Sequence, residues 1–133
     1  MDNLTTVKGM YAAFARRDIP ALLAGVDENI QWQAIIGAGS HVPTTGKRQG
    51  KQAVAEFFQI LAKAADFSRF EPREFIVDGD AVVALGEYAG RAIPTGRSFQ
   101  AEWAMVFNFD KNGKLVRFRE YAGSDSIDAA FDR

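Results

Sequence analysis

One glutamate near the C-terminal end of the chain occurs among apolar residues of a predicted strand. Glu120 falls in phase with Val116, Phe118 and Ala122. Side chains at period two share one face of a strand, so Glu120 is predicted to lie in an apolar wall. Such surroundings disfavour the charged form and raise the pKa of a carboxyl group towards the range of a general acid or base. The alternative is a glutamate paired with an arginine or exposed in water at a pocket mouth.

Two other titratable residues are candidates for the same chemistry. Glu87 lies in phase with Leu85, and two carboxyl groups in unlike surroundings can divide the roles of acid and base. Its alternative is a position at the rim of the sheet, beside Gly86. His41, the only histidine, lies in the glycine-rich loop 37–50, where a lid over a pocket would be. A solvated loop histidine is the alternative.

Large apolar side chains are frequent enough to line a cavity as well as fill a core. We predict that the pocket is lined by Met10, Phe14, Trp32, Ala34, Phe57, Trp103, Met105, Phe107 and Phe118. Core packing explains the aromatic members equally well. As a pocket lining, they would suit a flat, apolar or aromatic ligand.

Periodicity and turn residues predict helices in the first half of the chain and strands in the second. The predicted helices cover 4–17, 18–29 and 52–65, and Asp27–Asn29 is expected to close the second of them. The predicted strands are 30–36, 67–77, 81–93 and the two arms of a hairpin over 98–123, followed by a short polar tail with one or two helical turns. Pro72 places its strand at an edge or a bulge.

This order of elements predicts one α+β domain over residues 1–133. Three N-terminal helices would pack on one side of a strongly bent antiparallel or mixed sheet, forming a cone with an apolar pocket. The outer face of the hairpin would carry Glu102, Ala104, Val106, Arg117, Arg119 and Tyr121. A face that is half apolar and half charged suits a two-fold interface between copies, and a solvated sheet face is the alternative.

Composition excludes several classes of function. The formal net charge is -1, so no nucleic-acid footprint is expected. The chain has no cysteine and one histidine, which leaves no basis for a disulfide or a His/Cys metal site. The glycine spacing fits no nucleotide-binding loop, and no cofactor is predicted. No signal peptide or membrane span is recognised, so we expect a soluble cytoplasmic protein.

Several segments resemble the SnoaL-like polyketide cyclases of the NTF2-like superfamily. They are IQWQAII at 30–36, the G-x-x-A-V-x-x-F-F pattern from Gly50 to Phe58, and the ending F-x-A-E-W-A-x-V-F with N-G-K-L-V-R-F-R-E-Y. The resemblance implies a cone-shaped fold and a dimer through the outer sheet face. It also implies that Glu120 stands at the family's acidic acid/base position, whereas Met105 stands where these cyclases often have histidine.

The related ketosteroid isomerases resemble the chain around Asp18 and Gly113. Their oxyanion-hole tyrosine, general-base aspartate and protonated aspartate would correspond to Met10, Ala34 and Met105. All three positions are apolar, so steroid isomerisation is not expected. Two hypotheses remain. The first is a cofactor-independent isomerase, cyclase or lyase that acts on a small apolar carbonyl compound; the second is a non-catalytic dimeric module that binds a hydrophobic small molecule.

Overall fold

The computed structural model describes residues 2–36, 42–123 and 125–132. The helices are α1 (Asn3–Ala15), α2 (Ile19–Leu23), α3 (Lys51–Ala64) and α4 (Asp125–Phe131). The strands are β1 (Val26–Ile36), β2 (Gly46–Gln49), β3 (Ala65–Asp78), β4 (Ala81–Ala92), β5 (Ser98–Phe109) and β6 (Leu115–Ala122). The predicted lid residue His41 lies outside the described residues.

All six described strands form one curved sheet in the order β2-β1-β6-β5-β4-β3. Neighbouring strands are antiparallel except β1 and β6, which pair in parallel. The chain reaches this parallel partner after passing through α3 and the three strands that follow it. The α+β class with a mixed sheet and three N-terminal helices is therefore confirmed.

The predicted end of the second helix is wrong. Asp27–Asn29 belong to β1, because α2 ends at Leu23 and the strand already begins at Val26. Val26 is buried and pairs with Leu115 of β6, and the pairing resumes at Gln31, so Asp27–Asn29 span an irregularity within the strand.

Part of the predicted glycine-rich loop is a strand. β2 pairs antiparallel with residues 31–34 of β1 and forms one edge of the sheet. Its sequence, GKRQ, has no apolar alternation, so the pattern gave no sign of a strand. The opposite edge is β3, where a register shift follows Pro72, as expected for proline in a strand.

The backbones of β3 and β4 lie in close contact at Gly86. A Cβ atom on Gly86 would lie 2.2 Å from the carbonyl oxygen of Glu71 and 2.6 Å from the ring of Trp103. Only glycine therefore lets β3 and the indole of Trp103 approach β4 this closely. On the concave side, the hairpin buries Phe99, Trp103, Met105, Phe107 and Phe109, as its period-two pattern predicts.

We predict that Gly86→Ala destabilises the fold by about 2 kcal/mol, because the backbone of β3 and the Trp103 ring must both move. The matched control is Gly9→Ala in α1, where an added Cβ meets nothing within 4 Å. This control should be stabilising by up to about 1 kcal/mol through helix propensity. Urea unfolding measures both changes, and equal stability of G86A and the unmodified protein would contradict the close-contact argument.

Candidate functional site

A cavity of about 90 Å³ lies between the helices and the concave face of the sheet. One buried water needs only on the order of 10–15 Å³, so the space is larger than a water site. Seven of the predicted lining residues border it, namely Met10, Phe14, Trp32, Phe57, Met105, Phe107 and Phe118. Ile127 and Phe131 of α4 close another part of its wall.

Two predicted lining residues are not on the cavity wall. The indole of Trp103 stacks against Tyr11, with ring centroids 5.9 Å apart, and lies over Gly86. Ala34 is buried in β1, but its side chain ends at Cβ and does not reach the cavity. Both residues therefore belong to the packed core, and the prediction that they line the pocket is wrong.

Glu120 is the one carboxylate among the described residues that line this cavity. It is only 6% exposed, and its direct neighbours in the sheet are Ala34 of β1 and Met105 of β5. The hydroxyl of Tyr88 donates a hydrogen bond of 2.9 Å to Oε2 of Glu120. The alternatives of an arginine pair or a water-exposed position do not describe this geometry.

The surroundings of Glu120 change its acidity. Burial raises the pKa of the Glu120 carboxyl to about 7, and the hydrogen bond from Tyr88 acts in the opposite direction by stabilising the anion. Near neutral pH the group therefore exists in both forms. Such a carboxyl can accept a proton and return it, which is the property that general acid/base catalysis needs.

Two tyrosines of the site were missed in the sequence. Tyr88 and Tyr11 both line the cavity, and the Tyr11 hydroxyl donates to the sulfur of Met105 at 3.0 Å. Burial, assisted by the nearby charge of Glu120, raises the pKa of both hydroxyl groups, so they remain protonated donors. Tyr88 shares the face of β4 that buries Val82 and Ala84, but the sequence around it does not show which face is buried.

Glu87 does not share the cavity with Glu120, and that expectation is wrong. The buried face of β4 carries Val82, Ala84 and Tyr88, which turns Glu87 to the outer face. There Oε1 of Glu87 accepts from Arg69 at 2.9 Å and from Arg73 at 2.8 Å. Glu87 is thus a member of a surface ion-pair cluster.

The described residues form neither a cluster of metal ligands nor a membrane-spanning helix. Among residues 2–36, 42–123 and 125–132, no three His, Cys, Asp or Glu side chains are grouped to hold a metal ion. Within the same part of the chain, no helix has both the length and the apolar character needed to span a membrane.

The chain matches a known protein family over most of its length. The family model of the SnoaL-like domain matches residues 7–118 of this chain. The chain belongs to the SnoaL-like family. This places it in the NTF2-like superfamily. No curated protein matches the chain at a significant level.

Solved structures extend this likeness over almost the whole molecule. An NTF2-like protein from Burkholderia xenovorans LB400 is 30% identical, with a TM-score of 0.86, and the match covers 98% of this chain and 95% of that one. An NTF2-like protein of unknown function from Burkholderia pseudomallei K96243 is 29% identical, with a TM-score of 0.86 and full coverage of both chains. TerC, co-crystallised with polyporic acid, is 25% identical with a TM-score of 0.79, and 91% of each chain is covered.

We predict that Glu120 makes the stability of this SnoaL-like domain depend on pH. Because its pKa rises from 4.5 in the unfolded chain to about 7 in the fold, folding favours the protonated form. The stability contribution is fully present below about pH 4.5, and about 3 kcal/mol is lost as the pH rises through 7. Glu120→Gln should remove this slope in urea unfolding at pH 4 to 8. Glu102→Gln, an exposed control, should keep it; an unchanged slope in E120Q would contradict the assignment.

Proposed function

We propose that the protein is a cofactor-independent isomerase, cyclase or lyase that moves a proton next to the carbonyl group of a small apolar or aromatic compound. The observation that carries this proposal is the buried carboxyl of Glu120, which lines the cavity and accepts a hydrogen bond from Tyr88. A neutral apolar compound can enter such a cavity without the desolvation cost that a charged molecule would meet.

The three polar side chains have different roles in this proposal. Glu120, in its anionic form, takes a proton from the carbon next to the carbonyl group, and the electron pair of that C–H bond moves into the carbonyl to form an enolate. Tyr11 donates a hydrogen bond to the enolate oxygen. Its present acceptor, the Met105 sulfur, is weak, so a ligand oxygen can replace it at little cost. Tyr88 orients the carboxylate, and the protonated Glu120 then returns the proton to a different carbon or to a leaving group.

The aromatic wall supports a flat organic substrate. Trp32 and Phe118 stack with ring centroids 4.0 Å apart, and both border the cavity. A relative that is 25% identical was co-crystallised with polyporic acid, which supports an organic ligand for this chain as well.

The proposal differs from steroid isomerisation in its carboxyl groups. The positions expected to match the two aspartates, Ala34 and Met105, flank the single carboxyl of Glu120 in the sheet. The expected tyrosine position, Met10, is followed directly by Tyr11. One base and one hydroxyl donor support enolate chemistry, but they lack the second, neutral carboxyl donor of the isomerases.

Deuterium exchange tests the proton transfer without knowledge of the product. We predict that the protein accelerates exchange of the protons next to the carbonyl group in small aryl ketones, such as acetophenone, in D₂O near neutral pD. Proton NMR measures the rate. Glu120→Gln should lower the acceleration about a hundredfold or more, because a positioned base contributes factors of about 10² to 10⁴. Glu102→Gln, on the outer face, should leave it unchanged.

The outcome also separates the enzyme from the binding module. Two results would refute proton abstraction by Glu120. One is that every aryl ketone tested exchanges its protons no faster with the protein than in buffer alone; the other is equal exchange rates with E120Q and the unmodified protein. If native mass spectrometry of protein from its own host then found a retained apolar molecule, the non-catalytic binding module would be the better account.

We propose that two copies associate through the outer face of the sheet. A continuous row of neighbours, Ile35, Tyr121, Ala104 and Leu85, crosses β1, β6, β5 and β4 on that face. Ile35 and Tyr121 are 39% and 40% exposed, which is a large apolar exposure for adjacent sheet positions. A self-complementary patch of this kind suits a two-fold dimer.

We predict that sedimentation velocity shows a dimer and that Ala104→Arg converts it to a monomer, because the arginine brings a charge to the centre of the patch. Gln59→Arg on the exposed face of α3 adds the same charge elsewhere and should remain dimeric. A monomer in the unmodified protein would count against this interface.

A further inference from the structure

A second concave region lies on the outer face of the sheet, at the end formed by β2, β1 and β6. It has a volume of about 280 Å³. We call it the polar hollow and define it by five outward side chains, Gln31, Gln33, Lys47, Gln49 and Arg117. The sheet separates it from the cavity that contains Glu120, so it is a different site.

Strand register holds these side chains next to one another. Gln31 lies directly beside Gln49 of β2 on one side and Arg117 of β6 on the other, and Gln33 lies beside Lys47. Neighbouring strands lie about 4.8 Å apart, so β2 and β6, on the two sides of β1, are about 10 Å apart. Long side chains from both strands can therefore reach the hollow between them. The donors are therefore positioned by three paired strands.

The two cations of the hollow have no anionic partner in the part of the chain that the structure describes. Neither Lys47 nor Arg117 is within ion-pair distance of a described carboxylate, whereas Arg69 and Arg73 each contact Glu87. Because the formal net charge of the chain is -1, this positive region is a local feature.

Arg48 also borders the hollow but does not belong to its donor set. Its guanidinium donates to the carbonyl oxygens of Thr44 and Pro43 and lies 5.1 Å from the centre of the Phe57 ring. These contacts direct it to the inner side of β2. The charge available to a ligand in the hollow is therefore that of Lys47 and Arg117.

We propose that the polar hollow binds a small oxyanion, the phosphate or carboxylate group of a metabolite. A guanidinium group binds either oxyanion with two parallel N–H bonds, and an ammonium group adds a point charge. The glutamine amides supply further N–H donors, and their carbonyl oxygens can accept from a protonated ligand oxygen. This site goes beyond the proposed catalytic function and does not depend on it.

Titration with inorganic phosphate, followed by ¹H–¹⁵N NMR, tests the proposal. The side-chain amide signals of Gln31, Gln33 and Gln49 should shift and saturate. In the double variant K47Q/R117Q, the phosphate affinity should fall at least tenfold. The matched control K63Q/R91Q removes the same two charges from exposed positions elsewhere and should keep the affinity of the unmodified protein.

A parallel titration with acetate identifies the oxyanion. Saturation by phosphate, by acetate or by both supports the site and assigns its ligand class. Three results would overturn it: shifts with neither anion, shifts that rise linearly without saturation, or an equal loss of affinity in K63Q/R91Q. Backbone amide spectra show that each variant is folded, so a loss of binding cannot be assigned to unfolding.

Discussion

The site depends on the desolvation of one carboxyl group, that of Glu120. Glu120 has Ala34 and Met105 as its strand neighbours, and neither can stabilise a negative charge. Only the hydroxyl of Tyr88 offsets part of the desolvation cost in the described structure. The resulting balance raises the pKa of Glu120 to about 7 and makes a single glutamate usable as both base and acid.

The curved sheet separates two different surfaces. Its concave face buries Trp32, Phe118 and Glu120, and its outer face carries the polar hollow with Arg117 and the apolar row through Tyr121. Alternation along β6 is sufficient for this division, because Arg117 and Glu120 point to opposite sides of the same strand. The parallel pairing of β1 with β6 then brings Trp32 onto Phe118 and completes the aromatic wall.

The two-residue repeat of apolar side chains predicted the part of the site that lies on β5 and β6, because large apolar residues alternate there with other residues. It failed for β4 because residues 81–86 are apolar or glycine on both faces, which gives no phase. Glu87 was therefore assigned to the wrong side, and Tyr88 was overlooked. Tyr11 was missed as well, although it follows Met10 directly and both residues line the cavity.

Long-range pairing was not available from local pattern. The edge strand β2 is polar throughout, and β1 has as its other neighbour β6, from the far end of the chain. The polar hollow depends on both of these features, so it could be found only when the strands were placed side by side. The resemblance to the SnoaL-like family predicted the fold. It did not predict which residues of β2, β1 and β6 lie side by side on the outer face.

The most direct test of the central claim is a ¹³C NMR titration of the Glu120 side-chain carboxyl, with assignment through the Glu120→Gln variant. The account predicts a midpoint at about pH 7. It also predicts a higher midpoint in Tyr88→Phe, because that change removes the hydrogen bond that stabilises the anion. A midpoint near 4.5, the ordinary value for glutamate, would contradict the buried acid/base group and leave only the architecture.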